Sequence, residues 1–192
     1  MNDPYTMPGG RCLQNKLGIS DPDQLRELEG RIVSIRDVQL ARETLPGEYN
    51  LGHLQAFHRF LFEDIYPWAG QTRTVNISKD DSTFCAWQFV DDEISAVLAG
   101  FERDNWLIGL NRGKFVERLA HYYGEINARH PFREGNGRTQ RAFLRQLAAA
   151  AGWRLDWSAL NRDDNLNASK ENFRTTSTKL LMHVLDPIVV RM

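Results

Sequence analysis

The residues best able to do chemistry lie between 130 and 141, in the stretch HPFREGNGRTQR. This stretch holds one histidine, one glutamate, two glycines and three arginines. Strong helical patterns lie on both sides of it, which predicts a loop that runs into the N-terminus of a helix. A titratable base therefore lies beside concentrated positive charge, an arrangement suited to reaction with an anionic substrate.

The glycines and two of the arginines predict an anion site. Gly135 and Gly137 remove side chains where a backbone must turn or a ligand must approach closely. A glycine-bearing loop that enters a helix directs N–H groups and the positive end of the helix dipole at one point. Arg138 and Arg141 share a helix face, so both could form charge-assisted forks to phosphate oxygens. Arginines at a helix N-terminus oppose the dipole, and a local rule broken in this way is typical of a functional site.

Two readings stay open for each of the remaining polar residues. Glu134 could form an ion pair with a nearby arginine, or it could bind magnesium beside a polyphosphate. His130 could be a favourable partner for the C-terminal dipole of the preceding helix, or a general base for a hydroxyl nucleophile. A base, a magnesium carboxylate, an anion hole and two arginines are together the parts needed for attack of a hydroxyl on a nucleotide phosphate.

Hydrophobic spacing predicts a mainly α fold that holds this loop in place. Between the second and third helices, residues 72–90 are rich in Thr, Val, Ile, Phe and Trp around a polar centre, which favours a β-hairpin. The sequence thus predicts a helical bundle with one inserted hairpin, in a single domain over residues 1–192. The predicted helices cover about 20–43, 54–67, 94–101, 114–129, the segment from the loop to Gly152, and about 170–185.

Bulk composition excludes several classes of function. The formal net charge is -1, so no overall field attracts the chain to nucleic acid or to an anionic membrane. Cys12 and Cys85 form no CxxC pair, which is typical of unpaired thiols in a cytosolic protein. The N-terminus shows no signal-peptide pattern, and no apolar run approaches the ~20 residues of a membrane span. We therefore expect a cytoplasmic protein.

The stretch at 130–141 resembles the Fic motif, H-P-F-x-[D/E]-G-N-G-R-x-x-R, at every specified position. Two further segments are similar to bacterial Fic proteins. Asp3-Pro4-Tyr5 with Asn15–Gly18 resembles their N-terminal arm, and His58–Gly70 followed by Arg73 resembles the segment before their hairpin. The resemblance covers about residues 1–155 and implies a mostly helical Fic fold. It also implies adenylylation, the transfer of AMP from ATP to a Tyr, Ser or Thr hydroxyl of another protein.

The resemblance assigns a role to each residue of the motif. His130 would deprotonate the target hydroxyl, and Phe132 would anchor the loop in the core. Glu134 would hold Mg²⁺ against the phosphates of ATP. The backbone at Gly135, Asn136 and Gly137 would form the anion hole, and Arg138 and Arg141 would grip the outer phosphates.

The hairpin corresponds to the segment that the family calls the flap, here about residues 72–85. It would hold the target by strand-like main-chain pairing. Its contacts are expected to be Val75, Ile77 and Phe84 with the target, and Lys79 and Asp80 with the nucleotide. A plain polar turn with one buried aromatic ring is the alternative explanation for Lys79, Asp80 and Phe84.

Other activities compete with adenylylation. The related death-on-curing toxins phosphorylate their targets and carry a lysine in the second half of the loop, where this chain has Gly135–Arg138. Transfer of another nucleotide or of phosphocholine is compatible with the loop. A non-catalytic module that docks a phosphorylated or acidic partner would need neither His130 nor Glu134.

Fic enzymes are often inhibited by a motif [S/T]-x-x-x-E-[G/N], whose glutamate pairs with the last motif arginine. Glu29, Glu134 and Glu171 are each followed by Gly or Asn, but none has Ser or Thr four residues earlier. We therefore expect inhibition in trans, by a small antitoxin that supplies a glutamate to Arg141. Self-inhibition through Glu171, in the near-match Asn167-x-x-x-Glu171-Asn172, is the alternative.

Overall fold

The computed structural model describes residues 3–79 and 82–192, apart from the side chains of Lys79 and Ser82. Within this range the fold is mainly helical with a small inserted hairpin, which confirms the predicted class. The helices are α1 Pro22–Arg42, α2 Leu51–Phe62, α3 Val90–Leu98, α4 Gly100–Arg103, α5 Arg112–Arg129, α6 Asn136–Ala150, α7 Arg162–Thr175 and α8 Lys179–Leu185. The strands are β1 Ser78–Lys79, β2 Ser82–Thr83, β3 Trp153–Leu155 and β4 Val189–Arg191.

Side-chain caps fix where three of the long helices, α1, α2 and α5, begin. The Asp21 side chain accepts hydrogen bonds from the N–H groups of Asp23 and Gln24, and Pro22 lies in the first turn of α1. Asn50 caps α2 and Asn111 caps α5 in the same way. The first predicted helix is therefore confirmed almost to the residue, whereas α2 ends at Phe62, five residues before the predicted Pro67.

Helices α5 and α6 form the centre of the fold. α5 packs against α3, α6, α7 and α8, while α6 packs against α1, α2, α5 and β3. Both helices turn large apolar side chains inward, including the fully buried Phe115, Leu119 and Phe143. The segment that joins these two central helices is the predicted reactive loop, so its two ends are fixed by the core.

The C-terminal part differs from the sequence prediction. The single helix expected over 170–185 is wrong, because α7 begins at Arg162 and the chain breaks between α7 and α8. Thr176 takes a left-handed conformation with φ 60°, and the Asn172 side chain donates to the Ser177 carbonyl across the break. A second antiparallel sheet, β3 with β4, was not predicted. Its three-residue strands are too short to give a periodic signal.

The inserted hairpin is much shorter than the β-prone segment. Ser78 pairs with Thr83 and Lys79 with Ser82 in an antiparallel register, and the described residues on either side, 72–77 and 84–86, form no regular strand. Over the described ranges, the helices are too short or too polar to cross a lipid bilayer.

Candidate active site

His130 is the residue at which α5 ends and the loop begins. It has a left-handed backbone, φ 46° and ψ 63°, which turns the chain out of the helix. Its N–H group donates to the Ile126 carbonyl at 3.1 Å, and its Nδ1 lies 3.1 Å from the Asn127 carbonyl. A carbonyl can only accept, so Nδ1 carries the proton and Nε2 is the basic nitrogen of the neutral ring.

The loop is held in shape by one of its own side chains. Asn136 Oδ1 accepts from the Phe132 N–H at 2.8 Å, and Asn136 Nδ2 donates to the Phe132 carbonyl at 2.7 Å. Phe132 is buried, in agreement with its expected role as an anchor. Because both polar atoms of the Asn136 side chain bind the Phe132 backbone, Asn136 can contribute only its backbone N–H to an anion hole.

His58 of α2 supports the loop through a hydrogen bond and a ring contact, a role that was not predicted from the sequence. Its Nδ1 accepts from the Gly70 N–H at 2.8 Å, so Nε2 carries the proton and donates to the Glu134 carbonyl at 3.0 Å. The ring also stacks on Phe132, with 4.0 Å between the ring centres. Complete burial lowers the pKa of His58 from 6.5 to about 4, which keeps the ring neutral near pH 7.

The N-terminus of α6 has the features of an anion site. Gly135 is its N-cap, with φ 82°, and as a glycine it has no side chain to accept a hydrogen bond from the first turn. The first turn contains no acidic residue, so the positive end of the helix dipole is not compensated there. A Cβ atom at Gly135 would lie 2.3 Å from the ring of Phe62, and one at Gly137 would lie 3.3 Å from Arg141 Nη1. Close approach therefore requires glycine at 135, whereas a Cβ at 137 would need only a small shift of the flexible Arg141 side chain.

Glu134 lies at the edge of this N-terminus. Its Oε1 accepts from the Gly135 N–H at 2.8 Å and lies 3.4 Å from Arg138 Nη2. The side chain is 44% exposed, so its carboxylate can reach a ligand. The first alternative for Glu134, an ion pair with a nearby arginine, is thus present. The same position is also compatible with the second alternative, a metal ligand.

Arg138 is held by residues distant in sequence. Its Nη2 donates to Glu29 of α1, and its guanidinium lies 4.9 Å from the centre of the Phe62 ring. The Glu29 side chain is only 7% exposed and also accepts from the Tyr66 hydroxyl. Burial and the neighbouring carboxylate raise the pKa of Tyr66, so it remains a donor. Sequence reasoning weighed Glu29 only as an inhibitory residue and missed this bracing role.

A cavity of about 440 Å³ joins these parts. His130, Glu134, Arg138 and Arg141 line it together with the anion-site backbone, so the structure brings the predicted motif residues together. The opposite wall is α7, whose contribution was not predicted because its start was placed too late. The residues of α7 that line the cavity are Arg162, Asn165, Leu166, Ser169, Lys170 and Phe173.

The flap residues take different positions. The Phe84 ring is buried and stacks on His130, with 3.9 Å between the ring centres and 15° between the planes. Val75 and Ile77 are half-buried, and the Ile77 carbonyl accepts from the Phe84 N–H at 3.3 Å. Asp80 and the side chain of Lys79 lie outside the described residues.

The N-terminal arm closes over the loop. Arg133 Nη2 and Nε bind Asp3 Oδ2 at 2.6 and 2.9 Å, and the Tyr5 hydroxyl accepts from the Thr74 N–H at 3.0 Å. The arm thus contacts both the reactive loop and the start of the flap. Glu171, in contrast, forms its described ion pair with Arg174 at 2.6 Å on the exposed side of α7.

Comparison with known proteins shows similarity over most of the chain. A family model described as the Fic/DOC family matches residues 48–148. The chain is 41% identical over 172 residues to protein adenylyltransferase VbhT of Bartonella schoenbuchensis, a match that covers 90% of this chain and 36% of VbhT. It is 40% identical over 161 residues to the probable protein adenylyltransferase Fic of Escherichia coli, covering 84% of this chain and 80% of that protein. The chain thus spans about a third of VbhT.

Solved structures show the same architecture. A crystal structure of BepC from Bartonella tribocorum with bound AMPPNP superposes with a TM-score of 0.90 at 26% identity, covering 98% of this chain and 97% of that one. The N-terminal Fic domain of a putative cell filamentation protein from Bartonella quintana, with bound ADP, gives 0.91 at 27% identity, covering 98% and 95%.

Proposed function

Because the chain belongs to the Fic/DOC family, we propose that it is a protein adenylyltransferase that transfers AMP from ATP to a Tyr, Ser or Thr hydroxyl of another protein. The observation that carries the proposal is the convergence of His130 and the N-terminus of α6 on one cavity. The names of the relatives and the nucleotides bound by the solved neighbours support it.

The nucleotide is proposed to bind along the cavity with its phosphates at the N-terminus of α6. The uncapped first turn offers N–H donors, and Arg138 and Arg141 line the same space. We assign the nucleoside to the α7 wall, because Leu166 and Phe173 provide apolar surface beside the polar Asn165 and Ser169.

Glu134 is proposed to hold Mg²⁺. Among the described residues, no group of three or more His, Cys, Asp or Glu side chains could hold a metal ion. An ion at the half-exposed Glu134 carboxylate would take its remaining ligands from phosphate oxygens and water, as magnesium commonly does. Such an ion would neutralise charge on the phosphates of ATP.

His130 is proposed to act as the general base. Because Nδ1–H donates to the Asn127 carbonyl, Nε2 can accept the proton of the target hydroxyl. The hydroxyl oxygen then forms a bond to the α-phosphorus, and the bond from that phosphorus to the bridging oxygen of the β-phosphate breaks. AMP remains on the target, and pyrophosphate leaves with the charge stabilised by the N-terminus of α6 and its arginines.

Incubation with ATP labelled on its α-phosphate, Mg²⁺ and a bacterial lysate tests the proposal. The unaltered chain should label one or more proteins, and mass spectrometry should identify an AMP adduct on a hydroxyl. His130→Ala should lower labelling by ~10²–10⁴-fold, because the base is lost. Unchanged labelling by His130→Ala would falsify the mechanism, and label that appears only from γ-labelled ATP would favour phosphorylation.

A separate inhibitor protein is proposed to regulate the enzyme. We propose that a small antitoxin supplies a glutamate to Arg141, since Glu29 is bound to Arg138 and Glu171 to Arg174 in the described structure. If Glu171→Gly greatly raises the activity of the purified chain, self-inhibition replaces this proposal.

The unpaired thiols of Cys12 and Cys85 support a reducing compartment such as the cytoplasm.

A further inference from the structure

Arg73 is a buried arginine at the base of the flap. It is 1% exposed, and its four described side-chain hydrogen bonds all end on backbone carbonyl oxygens. Nη1 donates to Val75 at 2.8 Å, Nε to His130 at 2.9 Å, and Nη2 to Cys85 and, at 3.2 Å, to Arg129. Its own N–H donates to the Pro131 carbonyl at 2.9 Å.

These acceptors belong to two parts of the molecule that meet in the reaction. Val75 precedes β1 and Cys85 follows β2, so one guanidinium binds both legs of the flap. Arg129, His130 and Pro131 are the end of α5 and the start of the reactive loop. The planar guanidinium has five N–H donors in a rigid fork, whereas a lysine offers three donors at a single point.

His130 needs external support because of its backbone. A left-handed conformation is unfavourable for a non-glycine residue, and it persists where the surroundings fix it. The bond from Arg73 Nε to the His130 carbonyl is one such constraint, and the stacked ring of Phe84 from the flap is another. The Cys85 N–H also donates to the Ala128 carbonyl at 3.5 Å, so the second leg of the flap is tied directly to the end of α5.

We propose that Arg73 is a positioning residue that locks the flap to His130, so that a target hydroxyl docked on the flap arrives in register with the base. The inference rests on the proposed function, and it assigns to Arg73 a role in target alignment rather than in nucleotide binding. Arg73 does not line the cavity, whose phosphate end is built by α6.

The Arg73→Lys variant separates alignment from general support of the fold. It keeps the charge but cannot reach all four carbonyls. At saturating ATP and Mg²⁺ we expect AMP transfer to lysate proteins to fall ~10²-fold, because displacement by about 1 Å can cost that much. The dissociation constant for ATP, measured by calorimetry, should stay within about twofold, because Arg73 does not line the cavity.

Arg145→Lys is the matched control. Arg145 is mostly buried, with 22% of its side chain exposed, and it forms a two-pronged pair with Asp37 at 2.8 and 3.0 Å that joins α6 to α1. It touches neither the flap nor His130, so its replacement should leave both AMP transfer and ATP binding nearly unchanged. Transfer by folded Arg73→Lys within about threefold of the unaltered chain overturns the proposal, as does an equal loss of transfer and ATP binding.

Amide hydrogen exchange on the unaltered chain tests the same lock without a variant and without turnover. The Cys85 and His130 N–H groups should become exchangeable in one opening step, with the same dependence on low concentrations of denaturant. The Phe84 N–H, which pairs within the flap with Ile77, is the internal control and can open separately. If the Cys85 and His130 N–H groups exchange in separate opening steps, Arg73 does not lock the flap to His130. If the unaltered chain transfers no AMP, the proposed function fails, while this measurement still decides the lock.

Discussion

The candidate active site has a proposed nucleotide side and a proposed target side, and the two are built in different ways. The nucleotide side is a loop of six residues entering α6, and it is braced by Asn136 from within, His58 from below and Glu29 from α1. The target side is a flap whose strands are two residues long and whose connection to the core runs through Arg73 and Phe84.

The difference is consistent with what each side is proposed to recognise. Every ATP molecule presents the same phosphate groups, so one rigid set of donors can be fixed in advance. A target protein brings its own main chain, and a short hairpin with an unpaired edge can be completed by that chain. Changes on the nucleotide side should therefore alter ATP binding and stability together, whereas disruption of the Arg73 lock should lower transfer without weakening ATP binding.

Replacement of Gly135 should give the largest effect on the nucleotide side. Gly135→Ala combines a left-handed φ of 82° with a Cβ placed 2.3 Å from the Phe62 ring. We expect the free energy of unfolding to fall by about 2–5 kcal/mol, from backbone strain plus overpacking. ATP binding should weaken at least about tenfold as the N-terminus of α6 shifts. Urea denaturation and calorimetry measure the two changes.

Gly152→Ala measures the cost of the left-handed backbone alone, without overpacking. Gly152 has φ 83°, but nothing lies within 4 Å of the position of its Cβ. Its replacement should cost about 1–2 kcal/mol and leave ATP binding unchanged. Equal effects at Gly135 and Gly152 would show that the close packing against Phe62 has no role in shaping the anion site.

The next effect is a pH dependence that arises from His58. Its pKa in the folded chain is about 4, below the ordinary value of 6.5, so the folded state resists protonation. The stability due to neutral His58 is fully present above pH 6.5 and is lost as the pH falls from 6.5 towards 4. The expected loss is about 3 kcal/mol, measured as unfolding free energy against pH.

His58→Gln provides the reference for this measurement, because glutamine does not titrate. The difference between the two pH profiles removes contributions from other groups. The unaltered chain should lose stability more steeply than the variant between pH 6.5 and 4. Parallel profiles would mean that His58 is not held neutral beneath the reactive loop.

The smallest expected effects come from two similar triads, each made of a tyrosine, a carboxylate and an arginine. Tyr66 donates to buried Glu29, which binds Arg138 at the cavity, and Tyr122 donates to Asp104, which binds Arg118. Tyr66→Phe should cost about 1–3 kcal/mol of stability, because a buried carboxylate loses a donor. It should also weaken ATP binding about fivefold, because Arg138 loses part of its support.

Tyr122→Phe should destabilise the chain by a similar amount without changing ATP binding, since this triad lies away from the cavity described above. Burial and its bond to Asp104 raise the pKa of Tyr122 to about 12, so its hydroxyl is a donor near pH 7 as well. An equal change in ATP affinity in the two variants would show that bracing of Arg138 does not contribute to binding.

The sequence predicted those parts of the fold that depend on local patterns. The Asp21 cap, the Gly152 stop and the apolar periodicity of α5 each act within one or two turns, and each is found in the structure. The predicted helix over 170–185 failed because its break depends on Thr176 and on the Asn172 side chain, not on a glycine or proline. The β3–β4 sheet joins segments more than thirty residues apart, which no local pattern reveals.

For the site, the sequence by itself determined the chemistry available: one base, one carboxylate, a glycine-shaped helix N-terminus and two arginines within twelve residues. These groups meet because they are close along the chain, so their spacing was enough. Only the tertiary structure decided how they are held. Glu29 lies 109 residues before Arg138, His58 lies 76 before Glu134, and Arg73 lies 57 before His130. Such partners are selected by the packing of helices in space, and one chain read alone carries no signal of which distant residues will touch.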